Sequence, residues 1–188
     1  DRAVRTDFHA ETDPLRIVRE QGVVAVFPHE AGAFRHENVG EVVAVGPEAK
    51  GVSVGDVRLI HPWMGCGECV VCRRGEENLC VRPCSVGIHR GGGFATHLVV
   101  PHPRYLFDIG SLAPERAAPL ACSGVTAYGA LKKVSETLRD EPVVMIGAGG
   151  VGLMALALHG KMGGKSTIVV DIDAAKREAA KRAGATHV

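Results

Sequence analysis

Pro142-Val143-Val144-Met145-Ile146-Gly147-Ala148-Gly149-Gly150-Val151-Gly152 decides the fold class. Its first half is an apolar run of the length of a buried strand and its second half a glycine-rich turn. Val151, Met154, Ala155 and Leu158 then recur at helical spacing. A second buried strand follows at residues 166–170. Asp173 carries a side chain that caps a helix through Arg182, and Gly184 has the conformational freedom to end it. Strand, helix, strand, helix in this order predicts a parallel sheet, because parallel neighbours need a crossover. Upstream, short β-branched runs at residues 23–27, 41–45, 57–60 and 95–100 are separated by glycine and proline, the pattern of a small all-β unit. Residues 11–33 show no clear period and read as loop with one strand. Pro101, Pro103, Pro114 and Pro119 punctuate a linker that leads into a helix expected over residues 122–134.

Composition bounds the rest. The chain has 188 residues, room for one ordinary domain or parts of two, and its 46% hydrophobic content suffices for a packed core. The 22 basic residues stand against 21 acidic ones without a block of either sign, so small molecules are expected as partners rather than nucleic acid or an anionic membrane. The apolar runs are too short to span a bilayer and no signal-peptide pattern opens the chain at Asp1, which predicts a cytoplasmic protein. The chain begins without methionine and stops at Ala185-Thr186-His187-Val188 as a further strand starts, so a piece of a longer protein is expected.

Four of the six cysteines follow the spacing Cys66-x2-Cys69-x2-Cys72-x7-Cys80. Four thiolates in one short loop match the all-sulfur tetrahedral coordination that zinc adopts in structural sites, and a closed set leaves no position for chemistry. Disulfides, free buried thiols and an iron–sulfur cluster are the alternatives, and the cysteines alone do not name the metal. Cys84 lies outside the spacing and reads as a spare thiol.

Gly147-Ala148-Gly149-Gly150-Val151-Gly152 has the Gly-x-Gly-x-x-Gly form between a strand and a helix. There the glycines make the tight turn, admit a pyrophosphate to the backbone and pack helix on sheet, while the helix N-terminus offers free amides. Asp171, nineteen residues beyond Gly152, is placed to accept from ribose hydroxyls and to repel a 2′-phosphate, which favours NAD over NADP. His36 leads into the strand at 41–45, and Cys122 sits in Pro119-Leu120-Ala121-Cys122-Ser123-Gly124. An imidazole and a thiolate suit a second zinc, yet the same residues also read as a surface histidine and a buried small hydrophobe.

The order of these features, with Gly91-Gly92-Gly93-Phe94-Ala95 before Val99-Val100-Pro101, resembles that of zinc-containing medium-chain alcohol dehydrogenases. The resemblance implies an α/β protein with an all-β lobe: a GroES-like catalytic domain over residues 1–112, with its structural zinc lobe at 66–80, then the first part of a Rossmann NAD-binding domain over 113–188. It implies hydride transfer between NAD and a small primary or secondary alcohol, with aldehyde or ketone in reverse, in a homodimer or homotetramer. His36 and Cys122 would be catalytic-zinc ligands, with Glu37 beside them. Thr6 would take the alcohol proton and His9 would pass it to solvent. Asp7 would orient the zinc-binding histidine and Arg5 would reach the pyrophosphate. Thr126, Gly147, Gly149, Gly150, Val151, Gly152 and Asp171 would line the cofactor.

The chain departs from the family's pattern twice. Val4 stands where a cysteine ligand is usual, and valine cannot bind zinc, leaving Asp7 or Glu37 to complete the set. Arg35 replaces the usual glycine before His-Glu, and a second pair, His29-Glu30, lies upstream; Gly40-Glu41-Val42-Val43-Ala44-Val45-Gly46 continues the pattern after His36. Two other readings follow: a quinone or enone reductase of the same architecture without catalytic zinc, and a non-catalytic dinucleotide- and zinc-binding module.

Overall fold

A computed structural model describes residues 23–26, 36–47 and 49–188. Arg5, Thr6, His9, Asp7 and Val4, the pair His29-Glu30 and most of the segment at 11–33 lie outside the described residues. Contacts divide the chain into two units, Asp1–Ala121 and Cys122–Val188.

The first unit is an antiparallel sheet of five strands, β1 (Val23–Val26), β2 (Asn38–Val45), β3 (Val57–Ile60), β4 (His97–Val100) and β5 (Leu106–Asp108), in the order β4-β1-β2-β3-β5. A bulge between Val24 and Ala25 offsets β1 against β2. β2 is central and is buried on both sides at its start. Val42 joins the main core of Val23, Ile60, Met64, Val86, Leu98, Val100, Tyr105 and Leu106, whereas Val39 packs with Ala117 and Ala118. Period-two alternation turns these two valines to opposite faces, which is why the run is apolar without a polar partner at every second position.

One expectation needs correcting. The segment after Pro101 is not a linker: β5 pairs with β3, and Pro114–Ala117 with the 3-10 turn Ala118–Ala121 forms the cover over Val39. By contacts, this cover belongs with the sheet, and the break between the two compact units falls at 121/122. Prolines suggested a linker because Pro103 and Pro114 begin helical turns, where their missing N–H costs nothing.

The second unit holds two parallel strands, β6 (Val143–Ile146) and β7 (Thr167–Val170), in register from Val143 opposite Thr167 to Ile146 opposite Val170. We label the helices in chain order as α1 (Val70–Arg73), α2 (Pro114–Ala117), α3 (Ser123–Lys132), α4 (Gly150–Lys161) and α5 (Ala174–Arg182). Gly124, Ala127 and Leu131 form the buried stripe of α3, small enough for close approach to α4. Asp173 caps α5 by accepting from the N–H groups of Ala175 and Lys176 at 2.8 and 3.3 Å. Gly184, at φ +99°, closes it in a Schellman arrangement, with Ala185 N–H on the Ala180 carbonyl and Gly184 N–H on that of Lys181. His187 then bridges Ile168 in parallel, beside β7.

Of the expected apolar positions on α4, Ala155 and Leu158 pack against the core of this unit and Val151 does not. Val151 is 47% exposed, and the buried positions are Leu156 and His159. The helix is apolar around most of its circumference, so its pattern does not single out a face. His159 is 3% exposed, its Nε2 has no partner, and a Cβ on Gly164 would lie 2.0 Å from that nitrogen. Lys161 and Lys165, which line the cavity beside it, add no negative charge.

Burial holds the His159 pKa below its ordinary 6.5. The unfolded chain then binds the proton more readily, so the stability that neutral His159 confers is present above pH about 6.5 and drains as pH falls through the folded pKa. Thermal denaturation from pH 7.5 to about 5 should show a steeper loss of Tm in the wild type than in His159→Leu; parallel slopes would refute the assignment.

Candidate functional site

Between β3 and β4 the chain leaves the sheet to build a lobe from α1 and the 3-10 turn Glu77–Leu79. Gly67 and Gly75 take φ of +77° and +83°, left-handed conformations that reverse the chain on either side of α1. The four predicted cysteines converge, with sulfurs all within 4.8 Å of one another. Individual Sγ separations are 3.4 Å for Cys69–Cys72, 3.8 Å for Cys69–Cys80 and 4.0 Å for Cys66–Cys72. Four sulfurs about 2.3 Å from one tetrahedral ion lie about 3.8 Å apart, so these spacings fit zinc. They are also far longer than a disulfide's bond of about 2.05 Å, and none of the six cysteines is disulfide-bonded.

The backbone prepares the sulfurs for negative charge. Cys80 Sγ accepts from the N–H groups of Cys66 and Arg82 at 3.2 and 3.3 Å. The Cys72 N–H first, then that of Val81, brings the Cys69 thiol down to about 6; the amides of Glu68 and Cys69 lower Cys66. Burial pushes the Cys72 thiol the other way, up to about 12. An amide-solvated thiolate beside a buried thiol that resists ionising is the environment a dication resolves, since coordination deprotonates a thiol outright. Gly65 is required here by space rather than by φ: its Cβ would sit 2.5 Å from Cys72 Sγ. Cys84 stays outside the cluster, its Sγ 3.8 Å from the Arg82 carbonyl.

His36 stands half-buried just before β2, in the first unit, and Cys122 opens the second as the residue preceding α3. Sequence reasoning missed Trp63. Its ring lies 5.7 Å from that of His36, tilted by 56°, and its Nε1–H donates to the Ala121 carbonyl at 3.0 Å. Being the chain's single tryptophan, three residues before Cys66, was the one available signal. Asn38, behind Glu37, is 2% exposed with neither carboxamide atom partnered, and a Cβ on Gly93 would lie 1.8 Å from its Oδ1.

The glycine-rich turn has the construction its spacing predicts. Gly147, at φ +97°, donates to the Val170 carbonyl at 2.7 Å, and a Cβ on Gly152 would fall 2.0 Å from the Gly147 carbonyl oxygen. Gly149 precedes α4 without a side-chain cap, and Gly150, Val151 and Gly152 form the first turn of α4, where amides have no intrahelical acceptor. Asp171 follows β7 and accepts from Ala148 N–H at 2.8 Å and Asp173 N–H at 2.9 Å. Those two bonds, Ala148's first, hold its carboxyl below the usual carboxylate range. Thr126 is exposed in the first turn of α3, its N–H on the Cys122 carbonyl.

Residues 9–111 match the alcohol dehydrogenase GroES-like domain family. The chain is 42% identical over 174 residues to an NAD-dependent alcohol dehydrogenase of Sulfurisphaera tokodaii, covering 93% of this chain and 49% of that protein. It is 36% identical over 152 residues to an L-threonine 3-dehydrogenase of Pectobacterium atrosepticum, covering 81% and 41%. Among solved structures, the alcohol dehydrogenase of Aeropyrum pernix aligns with a TM-score of 0.77 at 30% identity over 95% of this chain and 60% of that one. The chain spans about half the length of the curated relatives it matches.

Replacing Gly65 by alanine should expel metal, because the added methyl occupies the space against Cys72 Sγ. Metal analysis of purified Gly65→Ala is expected to give about one zinc fewer per chain than the wild type; equal zinc would mean that the close approach is not required.

Proposed function

The chain belongs to the alcohol dehydrogenase GroES-like family, and from that premise we propose that it serves NAD-linked, zinc-dependent hydride transfer between a small primary or secondary alcohol and its aldehyde or ketone. The observation that carries the reading is the Asp171 carboxylate, ionised and fastened to the amide of Ala148 in the glycine-rich turn. A carboxylate there accepts from both ribose hydroxyls and repels a 2′-phosphate, while the opening amides of α4 receive a pyrophosphate. The second unit is accordingly the beginning of a Rossmann domain. Among the described residues no helix is long and apolar enough to cross a membrane, and a cytoplasmic homodimer or homotetramer is our reading of the setting.

We assign the four-cysteine lobe to structural zinc and His36 and Cys122, with Glu37 beside them, to a catalytic zinc. Imidazole and thiolate are the donors such a site uses. When bound, zinc would supply Lewis acidity that lowers the pKa of an alcohol, and NAD would supply the hydride-accepting nicotinamide. The chain's own residues do the rest. Trp63 steadies the His36 ring by contact and the Ala121 carbonyl by hydrogen bond. Thr6 receives the alcohol proton, His9 releases it to solvent and Arg5 neutralises pyrophosphate charge; Asp7 orients the histidine ligand. Val4 in the place of a cysteine ligand favours a second reading, a quinone or enone reductase without catalytic zinc, which the four-cysteine lobe opposes.

Metal content separates the two: about two zinc ions per chain in the intact protein are expected, and about one would favour the reductase. Alcohol-dependent NADH formation should disappear in Cys122→Ala, and wild-type turnover in that variant would remove Cys122 from the site. Asp171→Ala should narrow the preference for NAD over NADP about tenfold or more in kcat/KM; an unchanged ratio would exclude a ribose role.

A further inference from the structure

Glu77 is held more firmly than a carboxylate on a small loop requires. Its Oε2 accepts from Gly65 N–H at 3.0 Å and from the Tyr105 hydroxyl at 2.6 Å, and its Oε1 pairs with Arg104 Nη2 at 2.7 Å. The Arg104 guanidinium also donates to the Tyr105 hydroxyl at 2.6 Å and lies 4.7 Å over its ring. Tyr105 is a member of the sheet's core, 6% exposed, and its ring stacks on that of His61. One carboxylate thus connects three places: Gly65, immediately before Cys66; the turn three residues before Cys80, where Glu77 itself sits; and a core tyrosine next to β5. Gly65 is also the residue packed against Cys72 Sγ.

We propose that Glu77 is a positioning residue for the metal lobe, holding the two ends of the cysteine loop together and thereby setting how slowly the lobe releases its metal. The inference rests on reading the lobe as a zinc site. Metal departs as thiolates detach in turn, and the Cys66 and Cys80 ends detach only if Gly65 and the Glu77–Leu79 turn move apart. Glu77 opposes that movement from both sides while contributing no ligand atom, so its loss leaves four sulfurs in place and lowers only the barrier to their separation. Glutamine keeps an acceptor for Gly65 and Tyr105 and loses the ion pair with Arg104, so it ranks between glutamate and alanine.

The test uses the intact protein, with zinc content measured first and zinc release then followed with a chromogenic chelator. Glu77→Ala is expected to release the lobe's zinc about ten- to a hundredfold faster than the wild type, with Glu77→Gln and Tyr105→Phe in between. Cobalt-substituted Glu77→Ala should keep the wild-type intensity of its thiolate-to-cobalt charge-transfer bands, which a role within the ligand set would weaken. Release at the wild-type rate, or weakened bands, overturns the proposal while leaving the zinc reading intact. A wild type without zinc on these cysteines overturns both. Should the alanine variant fail to fold, Glu77→Gln and Tyr105→Phe carry the measurement, and wild-type release in both refutes the role.

Discussion

Convergence of four sulfurs is the interaction on which the lobe between β3 and β4 depends, because that lobe has almost nothing apolar inside it. Val70, Leu79 and Val81 are 73%, 60% and 74% exposed, and Cys72 is the buried residue among the four ligands. Burying a valine or leucine contributes about 1.5–3 kcal/mol, and these side chains contribute little of it. A structural zinc contributes about 10–16 kcal/mol of binding free energy to the state that assembles its ligands. On the proposed zinc reading, coordination would be the term that decides whether residues 66–80 adopt one conformation. The sheet supplies the other boundary condition through Tyr105, which belongs to the main core and bonds Glu77.

The second unit depends instead on absent side chains. Gly152 brings α4 against the Gly147 carbonyl, Gly147 takes a conformation closed to other residues, and Gly164 fits over the imidazole of His159. The contacts of Gly152 and Gly164 leave no room for a methyl group, whereas at Gly147 the constraint is the positive φ. The two glycines of the turn bring backbone amides to the surface at the C-terminal end of β6, and Asp171 is drawn into the same place by one of them, the N–H of Ala148.

What was legible in the sequence was local. The cysteine spacing, the glycine-rich turn, the strands at 57–60 and 143–146 and both caps of α5 are fixed by residues close along the chain, whose geometry short-range chemistry dictates. What was not legible involves distant partners. Trp63 meets Ala121 fifty-eight residues on, and Glu77 meets Tyr105 twenty-eight residues on. Leu106–Asp108 becomes a strand because β3 offers an edge, not because its own three residues insist on it. The proline-marked cover over Val39 was read as a linker for the same reason: prolines announce a turn but not what the next turn packs on.

The pairing of Trp63 with His36 has an optical consequence. An indole is the dominant emitter in a protein, and its excited state gives up an electron to a neighbouring protonated imidazole far more readily than to a neutral or metal-bound one. Because Trp63 is the only tryptophan in this sequence and its ring stands 5.7 Å from that of His36, all indole emission of these residues arises beside that one imidazole.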